Sequence, residues 1–108
     1  MEQEEMVIFQ LITFGGSARS DVFEAYAAAK AGKFEDAQAL VKSAGEALLE
    51  AHKVQTDLIQ QEAAGNNMTV KLLMVHAQDH LMTSILAKDL IENMIDMQKQ
   101  IQELQSKI

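Results

Sequence analysis

An all-α fold, an antiparallel three-helix bundle, is what this sequence predicts, and three observations carry that reading. Proline is absent. Ala, Leu, Met, Glu, Gln and Lys dominate while aromatics make up only 5% of the chain, the composition of strong helix formers rather than of strands. Two breaks, Ala31-Gly32-Lys33 and Ala64-Gly65-Asn66-Asn67, divide the chain into three long segments. Both offer residues that tolerate the left-handed backbone of a helix cap. At 108 residues the whole chain, 1–108, is read as one domain with a core of its own.

The first helix is expected over 3–31. Gly15 and Gly16 lie inside it, and each costs about 1 kcal/mol relative to alanine in a helix interior. The pair is read as a close approach to a neighbouring helix rather than as a break. Met1 to Glu5 carries three glutamates and no Lys or Arg, unlike the positive opening of a secretory signal. No segment is long and apolar enough to span a bilayer. A soluble, cytoplasmic protein is therefore expected.

The second helix is expected over 34–64. Its approach, Ala28 to Ala44 (AAKAGKFEDAQALVKSA), resembles a turn of a tetratricopeptide hairpin, but no copy follows at a spacing of about 34 residues. The stretch is read as ordinary hairpin chemistry. It leaves a non-enzymatic helical adaptor as the competing class of function.

Composition narrows the chemistry. There is no cysteine, which excludes disulfides, thiolate catalysis and cysteine-ligated zinc. A net charge of −7 argues against nucleic acid or an anionic membrane as the main partner, because both need clustered Lys and Arg.

The third helix, expected over 68–106, holds the informative residues. At about 100° per residue, Leu72, Val75, Met82, Leu86, Leu90, Met97, Ile101 and Leu104 form one stripe, with Asp79 inside it. Leu73, Met74, Ala77, Leu81, Ile85, Ile91 and Ile95 cover much of the other side. A helix in a lone bundle needs one apolar face. Two suggest the inner helix of a closed symmetric oligomer. The methionines Met68, Met74, Met82, Met94 and Met97 are read mostly as core filler.

Asp79 sharpens this. A carboxylate in an apolar seam is costly unless paired, protonated or metal-bound, and copies converging on an axis favour a shared proton or a hard divalent cation. The alternative is a carboxylate hydrogen-bonded across the bundle to a serine or amide. His76 and His80 stand one turn apart beside the stripe, whereas His52 lies on another helix. His-x-x-Asp-His allows three readings: a metal site, which lacks the glutamate of the zinc-protease motif; structural histidines; or an imidazole nucleophile that carries a phosphoryl group. A metal-dependent hydrolase is the third functional class. Spacing alone leaves these open.

The stretch Val75 to Ser84, VHAQDHLMTS, closely resembles the signature of the lactose/cellobiose/chitobiose family of enzyme IIA proteins of the sugar phosphotransferase system. GSARS at Gly16 to Ser20 and EAHKVQTDLI at Glu50 to Ile59 match as well. The resemblance implies a phosphotransferase component, a phosphohistidine relay in which His76 takes the phosphoryl group from HPr and gives it to the cysteine of the cognate IIB. It implies that Asp79 meets its copies at the axis of a nine-helix homotrimer, where a divalent cation such as Mg2+ binds. Gln78 and His80 match residues flanking the active histidine and take an orienting or phosphate-contacting role. No direct sugar binding is implied. Ala77 stands where lactose-type members tend to have glycine, so the stretch leans towards the cellobiose/chitobiose branch.

Overall fold

A computed structural model describes residues 3–108; Met1 and Glu2, part of the acidic opening, lie outside the described residues. Three helices form: α1 Gln3–Lys30, α2 Phe34–Ala63 and α3 Leu72–Ser106. They pack as an elongated bundle of 61 × 25 × 20 Å. No helix among the described residues is long and apolar enough to cross a membrane.

Both glycine breaks end their helices by the same device. Gly32 takes φ 81° and Gly65 φ 93°, values that cost an L-residue a Cβ clash. At the first break the Lys33 N–H donates to Ala28 O at 2.9 Å and the Gly32 N–H to Ala29 O at 3.0 Å. At the second, Asn66 N–H donates to Gln61 O at 2.9 Å and Gly65 N–H to Glu62 O at 3.0 Å. Each pair of bonds satisfies carbonyls that a helix end otherwise leaves without partners.

The start of α3 differs from the sequence expectation by four residues. The chain runs without helix through Met68–Lys71, and Lys71 precedes the helix in an extended conformation with no side-chain cap. Thr69 and Val70 are β-branched and lose side-chain freedom in a helical turn. Met68 packs against the core and holds the segment down.

Along α1 the buried residues are Ile8, Leu11, Gly15, Ala18, Val22, Ala25 and Ala29. Their spacing alternates three and four, the pattern of a seam facing a neighbouring helix at a shallow angle. Alanines at 18, 25, 29, 37, 44, 51 and 77 are fully buried, so the backbones approach closely around larger anchors such as Leu11, Val22 and Leu81.

Gly15 occupies one of these seam positions, and the expected close approach holds there. A Cβ at Gly15 would stand 3.4 Å from the His80 carbonyl oxygen and 3.6 Å from the Leu81 nitrogen, whereas at Gly16 it would meet nothing. Alanine nearly fits; anything longer runs into α3 backbone. Gly15→Leu is expected to destabilise the fold by about 3 kcal/mol through overpacking, lowering the thermal midpoint by about 15 °C. Melting curves at matched chain concentration check this, and an unchanged midpoint would place Gly15 outside the helix contact.

The two apolar faces of α3 meet different fates. On the second face Met74, Ala77, Leu81, Ile91 and Ile95 are buried and Ile85 is half-buried against the core, whereas Leu73, at the start of the helix, is exposed. Leu72, Val75, Met82, Leu86, Leu90, Met97, Ile101 and Leu104 stay 44 to 85% exposed. The methionine expectation is corrected accordingly. Met74 is buried and Met68 half-buried, but Met82, Met94 and Met97 are exposed, because Met82 and Met97 belong to the uncovered stripe.

Candidate active site

His76 and His80 lie on the middle of α3, four residues apart and therefore on one face. Their rings meet edge to face, with centroids 4.4 Å apart and planes at 86°. The two Nε2 atoms are 3.0 Å apart, so one proton lies between them. His76 is exposed and His80 half-buried.

The buried side of His80 assigns that proton. His80 Nδ1 is enclosed and has no hydrogen-bond partner among the described residues. A proton there would be an orphaned buried donor, the rarer and costlier arrangement. The favoured tautomer thus carries the His80 proton on Nε2 and donates it to His76 Nε2, which leaves the His76 proton on Nδ1. His76 Nε2 then holds an unshared electron pair at an exposed ring.

Backbone contacts fix the turn that carries His80. Its carbonyl accepts the buried Ser84 hydroxyl at 2.6 Å, with Thr83 Oγ1 at 3.3 Å. Gly15 of α1 passes beside the same carbonyl. Gly15 and Ser84 therefore set where the His80 ring starts. Ser84 lies inside the matched stretch, yet its role needs the α1 contact to be seen.

Gln78 is separated from the two histidines. Two residues beyond His76 on a helix is about 160° around the axis by the shorter path, and Gln78 faces α2, where Gln55 Nε2 donates to its Oε1 at 2.7 Å. The same Gln55 nitrogen reaches Met82 Sδ at 3.5 Å. Gln55 escaped the sequence reading because its partner is 23 residues away, although it lies in EAHKVQTDLI. His52 is exposed on α2 and bonds to neither ring.

Asp79 is exposed in the stripe between these two edges. Its carboxylate makes no hydrogen bond or ion pair among the described residues; only its backbone carbonyl is engaged, by Thr83 Oγ1 at 2.8 Å. The cross-bundle bond to a serine or amide does not form among the described residues. Among the described residues, no three metal-ligating side chains cluster. A hard cation needs six or more oxygens, so one chain offers it only part of a shell.

The family model "PTS system, Lactose/Cellobiose specific IIA subunit" matches residues 6–99. The chain belongs to the lactose/cellobiose-type IIA family of the phosphotransferase system. It is 47% identical over 102 residues to the lichenan-specific phosphotransferase enzyme IIA component of Bacillus subtilis, covering 94% of this chain and 93% of that one. It is 41% identical to the lactose-specific EIIA component of Staphylococcus epidermidis, covering 91% and 94%. The crystal structure of the cellobiose-specific enzyme IIA from Bacillus anthracis superposes with a TM-score of 0.92 at 44% identity, over 95% of this chain and 94% of that one. The IIA(Chitobiose) structure of Escherichia coli, solved in complex with HPr, gives 0.81 at 43% identity, over 94% and 99%. The two solved IIA structures superpose on this three-helix architecture along nearly the whole chain.

Proposed function

We propose that this IIA protein is a phosphocarrier in which His76 accepts a phosphoryl group from phospho-HPr and passes it to the cysteine of a cognate IIB. The observation that carries the reading is the exposed His76 ring whose Nε2 electron pair is directed by His80 at 3.0 Å. The similarity to a IIA solved with HPr supports the donor. A cytoplasmic location is what those partners imply.

In the first step the electron pair on His76 Nε2 attacks phosphorus while the P–N bond to the donor imidazole breaks, its electron pair remaining on the donor nitrogen. The donor ring takes up a proton and His76 releases the one on Nδ1, which balances charge. His80, turning its N–H off Nε2, can offer it to a phosphoryl oxygen. In the onward step a thiolate attacks phosphorus, the P–N bond to His76 breaks, and the ring regains a proton. Such transfers pass through a loose, in-line transition state, so the protein mainly positions the groups and excludes water. Mass spectrometry after incubation with phosphoenolpyruvate and the general phosphotransfer proteins tests this: one acid-labile phosphate per chain, mapped to His76.

The working form in this reading is a homotrimer with α3 at its centre. The support is the uncovered stripe, a ridge of large apolar residues from Leu72 to Leu104 that is about 48 Å long. Contiguous apolar surface on that scale marks an interface. Around a threefold axis the Asp79 carboxylates converge, and their hard, otherwise unbonded oxygens fit a divalent cation such as Mg2+. That ion would neutralise the cluster and takes no part in the transfer step.

Asp79→Leu is expected to remain a folded trimer with an equal or higher thermal midpoint, since packed apolar groups often match or exceed a buried charge cluster. Sedimentation and melting measurements decide it. Dissociation into single chains would show that the carboxylate, or an ion on it, holds the assembly together.

A further inference from the structure

We infer that His76 and His80 form a reversible two-histidine site for a divalent transition-metal ion of the zinc type, which occupies the nitrogen that accepts phosphate and blocks uptake while it is bound. The metal site stands on the geometry of the pair; its effect on transfer rests on the phosphocarrier reading above.

Histidines at i and i+4 project from one face of a helix, the spacing at which helical His pairs hold zinc. Here the two Nε2 atoms already stand 3.0 Å apart. Two Zn–N bonds of about 2.0–2.1 Å at a tetrahedral angle separate their nitrogens by about 3.3 Å, so the rings need part by only about 0.3 Å. His76 is exposed, and its ring is free to make that adjustment while water fills the remaining positions on the ion. Among the described residues no third ligating side chain joins the pair.

Ligand chemistry separates this site from Asp79. Neutral imidazoles suit Zn2+, Cu2+ and Ni2+, whereas carboxylate oxygens suit Mg2+. Asp79 lies about 60° from His76 and about 100° from His80 around the helix. Hard and borderline cations are therefore sorted to different residues of α3.

The enclosed side of His80 sets the strength of binding. A metal on Nε2 leaves the imidazole proton on Nδ1. For His76 nothing changes, since the tautomer assigned above already has its proton there. For His80 the proton must move from Nε2 to Nδ1, which is enclosed and has no partner among the described residues. A metal-bound histidine ordinarily gives that proton to a carbonyl, a carboxylate or water, and an orphaned buried donor is penalised. With two protein ligands and this penalty the ion exchanges, as an inhibitor does, and is not a permanent part of the protein.

The electron pair that the ion takes on His76 Nε2 is the pair that attacks phosphorus. Metal and phosphoryl group exclude each other, and the exclusion is reciprocal: each lowers the affinity for the other. The ion makes and breaks no bond to phosphorus; it withholds the nucleophile until it dissociates.

Calorimetric titration of the protein with Zn2+, in the presence of excess Mg2+, tests the site. One Zn2+ per chain is expected. His76→Ala and His80→Ala should each weaken binding by at least about tenfold, since loss of even an outer partner of a ligand costs that much. His52→Ala, on another helix, should leave it unchanged. Nitrogen NMR of the imidazoles supplies a signature specific to the pair: on adding Zn2+ the His80 proton moves from Nε2 to Nδ1. Protein phosphorylated beforehand should bind no ion at the pair, and Zn2+ added before phospho-HPr should slow uptake until a chelator removes it.

Zn2+ binding of equal strength in a variant carrying both His76→Ala and His80→Ala, or a His80 proton that stays on Nε2 at saturation, would overturn the site. Equal binding to phosphorylated and unphosphorylated protein would overturn the exclusion. Failure of the parent reading looks different: wild-type protein that gives the two-histidine signature yet takes no phosphate at position 76 would remove the carrier function and leave the metal site standing.

Discussion

His76→Ala is expected to take up no phosphate from phosphoenolpyruvate in the presence of the general phosphotransfer proteins, a loss of at least about 10⁴-fold on the scale seen when a nucleophile is deleted. Among the described residues, no other exposed imidazole lies on that face of α3. His80 donates its Nε2 proton to His76, and its Nδ1 is enclosed. The fold should survive, because His76 is exposed and surface changes of this kind fall within about 0.5 kcal/mol. Circular dichroism separates lost chemistry from lost structure, and site mapping of any residual label is the decisive readout. Label at position 80 in this variant would move the nucleophile one turn along α3.

Which features were legible in the sequence follows from how local their causes are. The ends of α1 and α2 were, because each is set by a glycine within a few residues of the bonds it permits, at Gly32 and Gly65. The start of α3 was not. Asn66 and Asn67 look like a cap, but the chain continues extended until Lys71, past Thr69 and Val70 and a Met68 seated on the core. The double apolar character of α3 was visible from periodicity alone, and the structure divides it into a face covered by α1 and α2 and a face left open.

The candidate site was legible in its residues and not in its wiring. His76 and His80 share a face because four residues make about one turn, and their contact follows from that. The resemblance groups Gln78 with them as a residue flanking the active histidine, yet an odd half-turn carries it to the far edge of the stripe. Its partner Gln55 and the packing of Gly15 on the His80 carbonyl are contacts between helices. No periodicity within a single segment encodes them.

Leu86→Glu is expected to convert the proposed trimer into folded single chains of 12.0 kDa. Position 86 lies one heptad from Asp79 on the stripe and is 57% exposed in the chain by itself. Leu and Glu are comparable helix formers, so the subunit should keep its helices and its core. In the trimer, three new carboxylates would converge about two turns from Asp79, each with a desolvation penalty of several kcal/mol and no partner. Placed beside Asp79→Leu, the variant turns one argument in both directions: removing charge from the stripe should preserve the trimer, and adding charge should dissolve it. A persisting trimer would show that the subunits join along another face.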